Sequence, residues 1–519
     1  MDFDAEKAPA QLHHAATHDS DSGAEYHGAS TKPSGGVFGK LLDLEARMDR
    51  ALGIESEAIE RKLPHERQPM SWHAELPMFC LWASGTMGLS CFATGFLGSE
   101  FGLQLYQTIP LIVFGSLLGA AITGFCATLG APTGLRQISV SRYSMGWYPN
   151  KIIAALNTIT QLGWAAVSCI TGGLALQAVS NGRISIVPGI IIIACLSFAV
   201  SFVGLRAIIV WEKYSWIIFF IIFLIIYGET GKYANNLLPL GEDGTVVEKQ
   251  TGAVLSGTVL SLLAIFYGSS ASWSSMASDY YVQYPVNTNR WKVFFMTTLG
   301  IALPTSFGMI AGACVASAWR TQPAWSEAFG KGLGFLITEM LYPKGFADFL
   351  LVIFIFSGIN TNIISFYSAA ISCQQFARPC MRVPRFLWTV LCFGVTLALA
   401  LAGGNHLLSY LQNFLSLLGY WCTSYVTIVF SEHIIFRKMD FANYNLEGWN
   451  DPNVLPHGIA AGSAFLIGVV AWVMGMSEDW YDGPLAKLAG GDVANEFTLV
   501  VTFVVFVIVR SWELKKFGK

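Results

Sequence analysis

Charge is scarce in this chain. Only 13% of its 519 residues are Asp, Glu, Lys or Arg, about half the share of a soluble domain. The net charge of −3 gives no footing for a nucleic-acid partner. The ten cysteines form no paired pattern, and most lie inside apolar runs (Cys80, Cys91, Cys126, Cys169, Cys195, Cys314, Cys392, Cys422). That placement excludes a disulfide framework or a zinc site as the organising chemistry. No run carries a central carboxylate, a charge series or a filter-like loop of the kind a channel needs. An intramembrane enzyme would need a nucleophile–base pair or a metal set at depth, and His406 and His457 stand at run ends without matching ligands. No enzyme activity, cofactor or metal is therefore expected. Nor is a signal peptide visible, so the first apolar run is expected to direct the chain to the bilayer.

What fills the sequence is apolar. Hydrophobic residues make up 53% of it, and the mean hydropathy is +0.51. Twelve runs, each near the ~20 residues that cross a ~30 Å hydrocarbon core, fall at about 75–98, 107–130, 152–178, 185–205, 213–230, 253–280, 292–317, 346–372, 386–403, 406–430, 458–475 and 495–511. Backbone polar groups within lipid must be satisfied inside the segment, so these runs are read as helices. The fold class expected is an all-α polytopic membrane protein with twelve transmembrane helices. Three regions follow: a polar tail over 1–70, a ten-helix core over 71–430, and two added helices with a short tail over 431–519. Within the tail, 1–36 reads as disordered, and His13, His14 and His18 read as solvated rather than as a metal cluster. Over 36–62, apolar residues at helical spacing read as an amphipathic surface helix or a plain solvated one. Lys and Arg concentrate in alternate loops (Arg136, Arg142 and Lys151; Arg378, Arg382 and Arg385), which places both termini in the cytoplasm.

Two runs are interrupted by small polar residues in matching places. The first contains Ala83-Ser84-Gly85-Thr86-Met87-Gly88 and the sixth Tyr267-Gly268-Ser269-Ser270-Ala271-Ser272. Close helix packing explains such residues. So does a pair of five-helix inverted repeats whose opening helices are broken at mid-membrane, and the first-and-sixth placement favours the latter. Most tryptophans fit an interfacial belt, but Trp164 and Trp273 fall at depth, where two indoles would sandwich a planar ring. The eighth run carries Ser357-Gly358-Ile359-Asn360-Thr361-Asn362, whose amides and hydroxyls suit the rim of a heterocycle or bonds between helices. With no counter-charge at depth, a neutral ring is the better substrate. Asp279 and Glu229, near run ends, are the gating or coupling candidates, with interfacial ion pairing as the plainer alternative.

Four stretches carry a family resemblance. Gly130-Ala131-Pro132-Thr133-Gly134-Leu135-Arg136-Gln137 with Ser141-Arg142-Tyr143-Ser144-Met145-Gly146 is similar to "GPxTGLRQ…SRYSFG". Gly163-Trp164 with Gly172-Gly173 resembles "GWxxVNxxxGG". Glu212-Lys213-Tyr214-Ser215-Trp216 resembles "YERYSW", and Ser272-Trp273 with Ala277-Ser278-Asp279-Tyr280 resembles "GWxxxAADY". The chain thus resembles fungal members of the nucleobase–cation symporter family, in the purine–cytosine permease branch, from about Trp72 to Arg510.

The resemblance implies a leucine-transporter-type 5+5 inverted repeat plus two C-terminal helices. It implies a plasma-membrane importer of a planar heterocycle with protons, or with Na+ as the other coupling ion. It implies a substrate ring between Trp164 and Trp273, touched by Ser84 and Thr86 of the first run, Ser168 of the third, and Thr361 and Asn362 of the eighth. This chain departs from the family pattern where amides are usual: Thr86 replaces Asn, Ser168 replaces an amide, and Thr361-Asn362-Ile363-Ile364-Ser365 replaces "NNIPN". Hydroxyls for amides change which polar rim is accepted. A vitamin B6-type ring or a pathway metabolite therefore stands beside purines and cytosine, and a non-transporting nutrient sensor on the same fold is the reading from another class.

Overall fold

The computed structural model describes residues 47, 59–67, 76–201, 205–241, 245–381 and 383–519, without the side chains of 205–213 and 378. The 1–36 tail with its histidines lies outside them, as do Trp72 and Glu75 and all of the 36–62 segment except 47 and 59–62.

Thirteen helices carry the architecture: α1 Leu76–Thr86, α2 Leu89–Thr94, α3 Leu105–Ala127, α4 Asn150–Val179, α5 Ile186–Val200, α6 Leu205–Thr230, α7 Gly252–Ala271, α8 Arg290–Ser317, α9 Lys344–Phe376, α10 Arg385–Gly403, α11 Leu407–Ser431, α12 Ile459–Gly475 and α13 Ala494–Phe517. Among the described residues, nine helices are long and apolar enough to cross a membrane by themselves. The pair Leu76–Thr86 and Leu89–Glu100, bent by 59°, makes a tenth as one broken span. The shorter α5 and α12 fall at the fourth and eleventh of the twelve expected runs. The expected twelve therefore correspond to ten spans by length and two shorter apolar helices.

The packing contains its own evidence of duplication. When the runs are numbered one to twelve, contacts recur with a shift of five. The first run (α1) packs on the fifth (α6) and seventh (α8), and the sixth (α7) packs on the tenth (α11) and second (α3). The third (α4) packs on the fourth (α5) and ninth (α10), and the eighth (α9) packs on the ninth and fourth. The second pairs with the seventh, and the third with the eighth. Five is odd, so related helices cross in opposite senses and the two units are inverted copies. Helices α1, α3, α7 and α8 form one group, and α4, α5, α9 and α10 the other. Helices α12 and α13 pack on each other and on α11.

The two interruptions differ in form. The first run breaks as expected, with α1 ending at Thr86 and α2 starting at Leu89. In the sixth, α7 continues through Ala271, and the change to 3-10 turns comes at Ser272–Ser275 and Ala277–Tyr280, later than the sequence reading placed it. The Tyr267–Ala271 stretch is small for packing instead. A Cβ on Gly268 would meet the Leu415 carbonyl oxygen at 1.9 Å, and one on Gly119 would meet the Tyr267 carbonyl at 2.3 Å. Serine hydroxyls then tighten the winding. Ser269 donates to the Phe266 carbonyl at 2.8 Å, Ser272 to Ser269 at 3.1 Å and Ser275 to Ser272 at 3.4 Å, competing with the i−4 ladder.

Candidate functional site

Both interruptions reach the same place, between the two four-helix groups. A broken helix leaves carbonyls without intrahelical partners, and α9 supplies donors for them. Asn360 Nδ2 donates to Ser84 Oγ at 2.7 Å and to the Ser84 carbonyl at 3.4 Å. Thr361 Oγ1 donates to the Gly85 carbonyl at 3.3 Å. Ser84 Oγ also lies 2.5 Å from Ser215 Oγ of α6. Gly88 lets α9 come close, since a Cβ there would fall 2.5 Å from Ser357 Oγ.

Helix α4 presents a polar stripe at helical spacing: Asn157, Gln161, Trp164, Ser168 and Thr171, all buried. Trp164 faces Trp273, which the 3-10 turn carries, with ring centroids 5.8 Å apart and planes 19° from parallel. Its Nε1 donates to Ser272 Oγ at 3.0 Å. Phe414 of α11 meets Trp164 edge-on at 5.8 Å and 78°, and Trp82 meets Trp273 edge-on at 6.1 Å. Trp164 and Trp273 are 7% and 3% exposed, so neither faces lipid.

A cavity of about 30 Å³ adjoins the indole pair, lined among others by Thr86, Thr94, Ser269, Thr305, Ser357 and Thr361. It holds a water or two, not a heterocycle. The sandwich reading needs the same correction. A ring between two others requires about 7 Å, twice a ~3.5 Å carbon contact, whereas the centroids of these indoles are 5.8 Å apart. The indoles are brought together as expected, but with no slot between them.

Of the seven expected substrate residues, Thr86, Trp164, Trp273 and Thr361 line the cavity, and Ser84, Ser168 and Asn362 do not. Ser84 is occupied by Asn360 and Ser215. Ser168 lies behind the cavity wall, 3.6 Å (Cβ) from where a Cβ on Gly358 would be, and its hydroxyl has no hydrogen-bond partner. Asn362 points away, its Nδ2 donating to Ser197 Oγ of α5 at 2.9 Å, because two residues along a helix turn a side chain by roughly 200°. Asn360 is the amide at the break, and its Oδ1 has no partner. The sequence reading missed the α4 stripe, although Asn157, Gln161, Trp164, Ser168 and Thr171 recur every three or four residues.

Toward the 128–150 segment the site is closed by a polar belt. Asp279 accepts the Gln137 backbone N–H at 2.7 Å and lies 3.9 Å from Arg136 Nη1. Gln137 Oε1 accepts from Ser278 Oγ at 2.6 Å, and Gln137 Nε2 donates to Tyr425 Oη at 2.7 Å. Ser275 Oγ donates to Asn157 Oδ1 at 2.6 Å, while Asn157 Nδ2 donates to Ser372 Oγ at 2.7 Å. Glu229 is exposed near the end of α6 and lines no part of the cavity.

Duplicated inverted helices, two of them interrupted beside a small polar and aromatic cavity at mid-depth, define a multi-pass membrane transporter. The comparison with known families agrees: residues 72–499 match the model described as "Permease for cytosine/purines, uracil, thiamine, allantoin", and the chain belongs to that family, whose purine–cytosine branch its fungal relatives represent. It is 35% identical to the purine-cytosine permease fcyB of Emericella nidulans, over all of this chain and 99% of that one. It is 31% identical to the vitamin B6 transporter TPN1 of Saccharomyces cerevisiae, over 95% of this chain and 93% of that one. Among solved structures it resembles Mhp1, a nucleobase-cation-symport-1 family transporter in a closed conformation with bromovinylhydantoin bound. The TM-score is 0.66 at 14% identity, covering 89% of this chain and 96% of that one, and this likeness supports the leucine-transporter-type fold.

Proposed function

We propose that this permease imports a planar, uncharged heterocycle, a purine- or cytosine-like nucleobase or a close relative, across the fungal plasma membrane by proton symport, with both termini cytoplasmic. The observation that carries the reading is the near-parallel pairing of Trp164 and Trp273 on a cavity whose wall also carries the hydroxyls of Thr86, Ser357 and Thr361. A ring that opens the indoles gains stacking on both faces and meets those hydroxyls at its rim. Substrate entry thus begins by separating the pair by about an ångström, in an alternating-access cycle.

A vitamin B6-type substrate is the second reading. It is favoured by the similarity to TPN1 and by the hydroxyls of Thr86 and Thr361 on the cavity wall. Proton coupling is assigned to Asp279, the carboxylate of the polar belt, which accepts the Gln137 N–H and stands 3.9 Å from Arg136.

The test is uptake in yeast lacking its own permeases, with labelled adenine, cytosine, hypoxanthine, pyridoxine and allantoin. One class of ring should be taken up, uptake should fall when a protonophore collapses the gradient, and Trp164→Ala and Trp273→Ala should abolish it at unchanged surface level. Full transport in both variants rejects the indole site. Uptake indifferent to the proton gradient rejects the coupling.

A further inference from the structure

A second cleft lies well away from the indoles, where the start of α4, the end of α9 and the 437–458 segment meet. It measures about 320 Å³, and its lining includes Arg142, Trp147, Tyr148, Lys151 and Gln375. Arg142 belongs to the Ser141–Gly146 motif, which the transport cycle leaves without a task. It is only 4% exposed. Its Nη1 donates to Asn450 Oδ1 at 3.0 Å, and its guanidinium lies over the rings of Trp147 and Trp449 at 5.1 and 5.3 Å. Among the described residues no carboxylate pairs with it, and no other acceptor takes its remaining donors. Lys151 lies over the Tyr148 ring at 5.3 Å and likewise has no acidic partner among those residues.

Buried charges in proteins are paired or bind an ion. Burial pulls the Arg142 guanidinium down to about 10, which leaves it charged at every physiological pH. Two cations therefore face one cleft, and none of its described lining residues is acidic. Tyr148 is 68% exposed at its mouth, as suits a residue at the membrane–water boundary. We propose that this cleft binds a phosphate group through Arg142 and Lys151, with Gln375 as a further polar contact. The guanidinium fork suits phosphate oxygens, and lysine adds a point charge. The group reaches the cleft either on a phosphorylated lipid headgroup in the adjoining leaflet or on a soluble anion.

The experiment uses the purified full-length protein in phosphatidylcholine nanodiscs. Thermal midpoints are recorded while inorganic phosphate is titrated, and again in nanodiscs containing phosphoinositide or, at matched charge, phosphatidylserine. A saturable rise with inorganic phosphate supports the site and a soluble source. A rise confined to phosphoinositide supports the site and a lipid source. Lys151→Gln, at the rim, should weaken either response about fivefold, and Arg142→Gln should weaken it at least tenfold. If Arg142→Gln does not fold, Lys151→Gln decides. No saturable rise with either probe, an equal rise with phosphatidylserine, or an unchanged response in Lys151→Gln overturns the proposal.

Discussion

Gly163 precedes Trp164 on α4, and a Cβ there would lie 2.2 Å from Phe414 Cε2 and 2.4 Å from Cζ. Carbon atoms rest at about 3.5 Å, so Gly163→Ala forces the Phe414 ring to retreat by about 1.3 Å. That ring is the edge contact holding Trp164 from the α11 side, an aromatic pairing worth about 0.5–1.5 kcal/mol beyond its area. Overpacking adds about 1–3 kcal/mol of strain. Trp164 is then held less firmly against Trp273, and binding weakens by about tenfold, the equivalent of about 1.4 kcal/mol. The assay is the KM for the best substrate of the uptake panel, with surface protein quantified beside it. Phe414→Leu removes the clashing atoms, so the double variant should recover most of the lost affinity; residues in contact couple by about 0.5–3 kcal/mol. A wild-type KM in Gly163→Ala, or a double variant no better than the single one, refutes the idea that Phe414 sets the indole position.

Asn360→Ala should cost about 1–3 kcal/mol and lower the thermal midpoint, because the Ser84 carbonyl at the helix break loses its donor; an unchanged midpoint rejects that role. Arg510 donates to Glu432 at 2.9 and 3.0 Å and to Glu513 at 3.2 Å, all buried. Arg510→Met alone should destabilise by about 3–5 kcal/mol, while replacing all three by apolar residues should recover much of it, as read by thermal unfolding in detergent. Tyr420 Oη contacts both Glu478 Oε1 and Asp492 Oδ2, yet has one proton to give, so one carboxyl must hold its own. Burial pushes Glu478 up to about 9 and Asp492 to about 6. The folded protein thus keeps protons that the unfolded chain has lost, and stability falls as pH rises from about 4.5 toward 9. Glu478→Gln should flatten that decline in a plot of midpoint against pH; an unaltered slope places the proton elsewhere.

Periodicity and hydropathy suffice to reveal the helices, since a bilayer imposes length and apolarity on each span separately. The break in the first run was equally legible, because Ser84, Gly85, Thr86 and Gly88 are small or polar inside an apolar stretch. The sixth run misled for a physical reason: Gly268 and the serines near it serve close packing against α3 and α11, and small residues look alike whether they pack or unwind. Trp164 and Trp273 were found because an indole at depth is unusual. Which amide of the eighth run faces the break was not legible. Asn360 and Asn362 differ by two residues, and only the rotation of α9 against α1 decides that Asn360 meets Ser84 while Asn362 meets Ser197. The Glu478–Tyr420–Asp492 contact was hidden too, since it joins three segments distant in sequence.

Two kinds of polar contact hold this bundle, and their chemistry matches different duties. The belt between α4, α7, α9 and the 128–150 segment is built almost wholly of hydroxyls and amides, with Asp279 at its edge 3.9 Å from Arg136. Each such hydrogen bond is worth only about 0.5–1.5 kcal/mol net, because water replaces the partner on opening. In the proposed cycle a seal of this kind comes apart at small cost when substrate shifts the indoles, since each bond is weak and replaceable. The Arg510–Glu432–Glu513 cluster is the opposite. Its charges are buried, and Glu513 also accepts the Gly458 and Ile459 N–H groups at 3.1 Å, at the start of α12. Parting those groups without water at hand leaves bare charges, which ties α13 permanently to α11 and α12. The proposed cycle therefore opens the contacts around Ser275, Asn157 and Gln137 and keeps the C-terminal pair with α11 as one body.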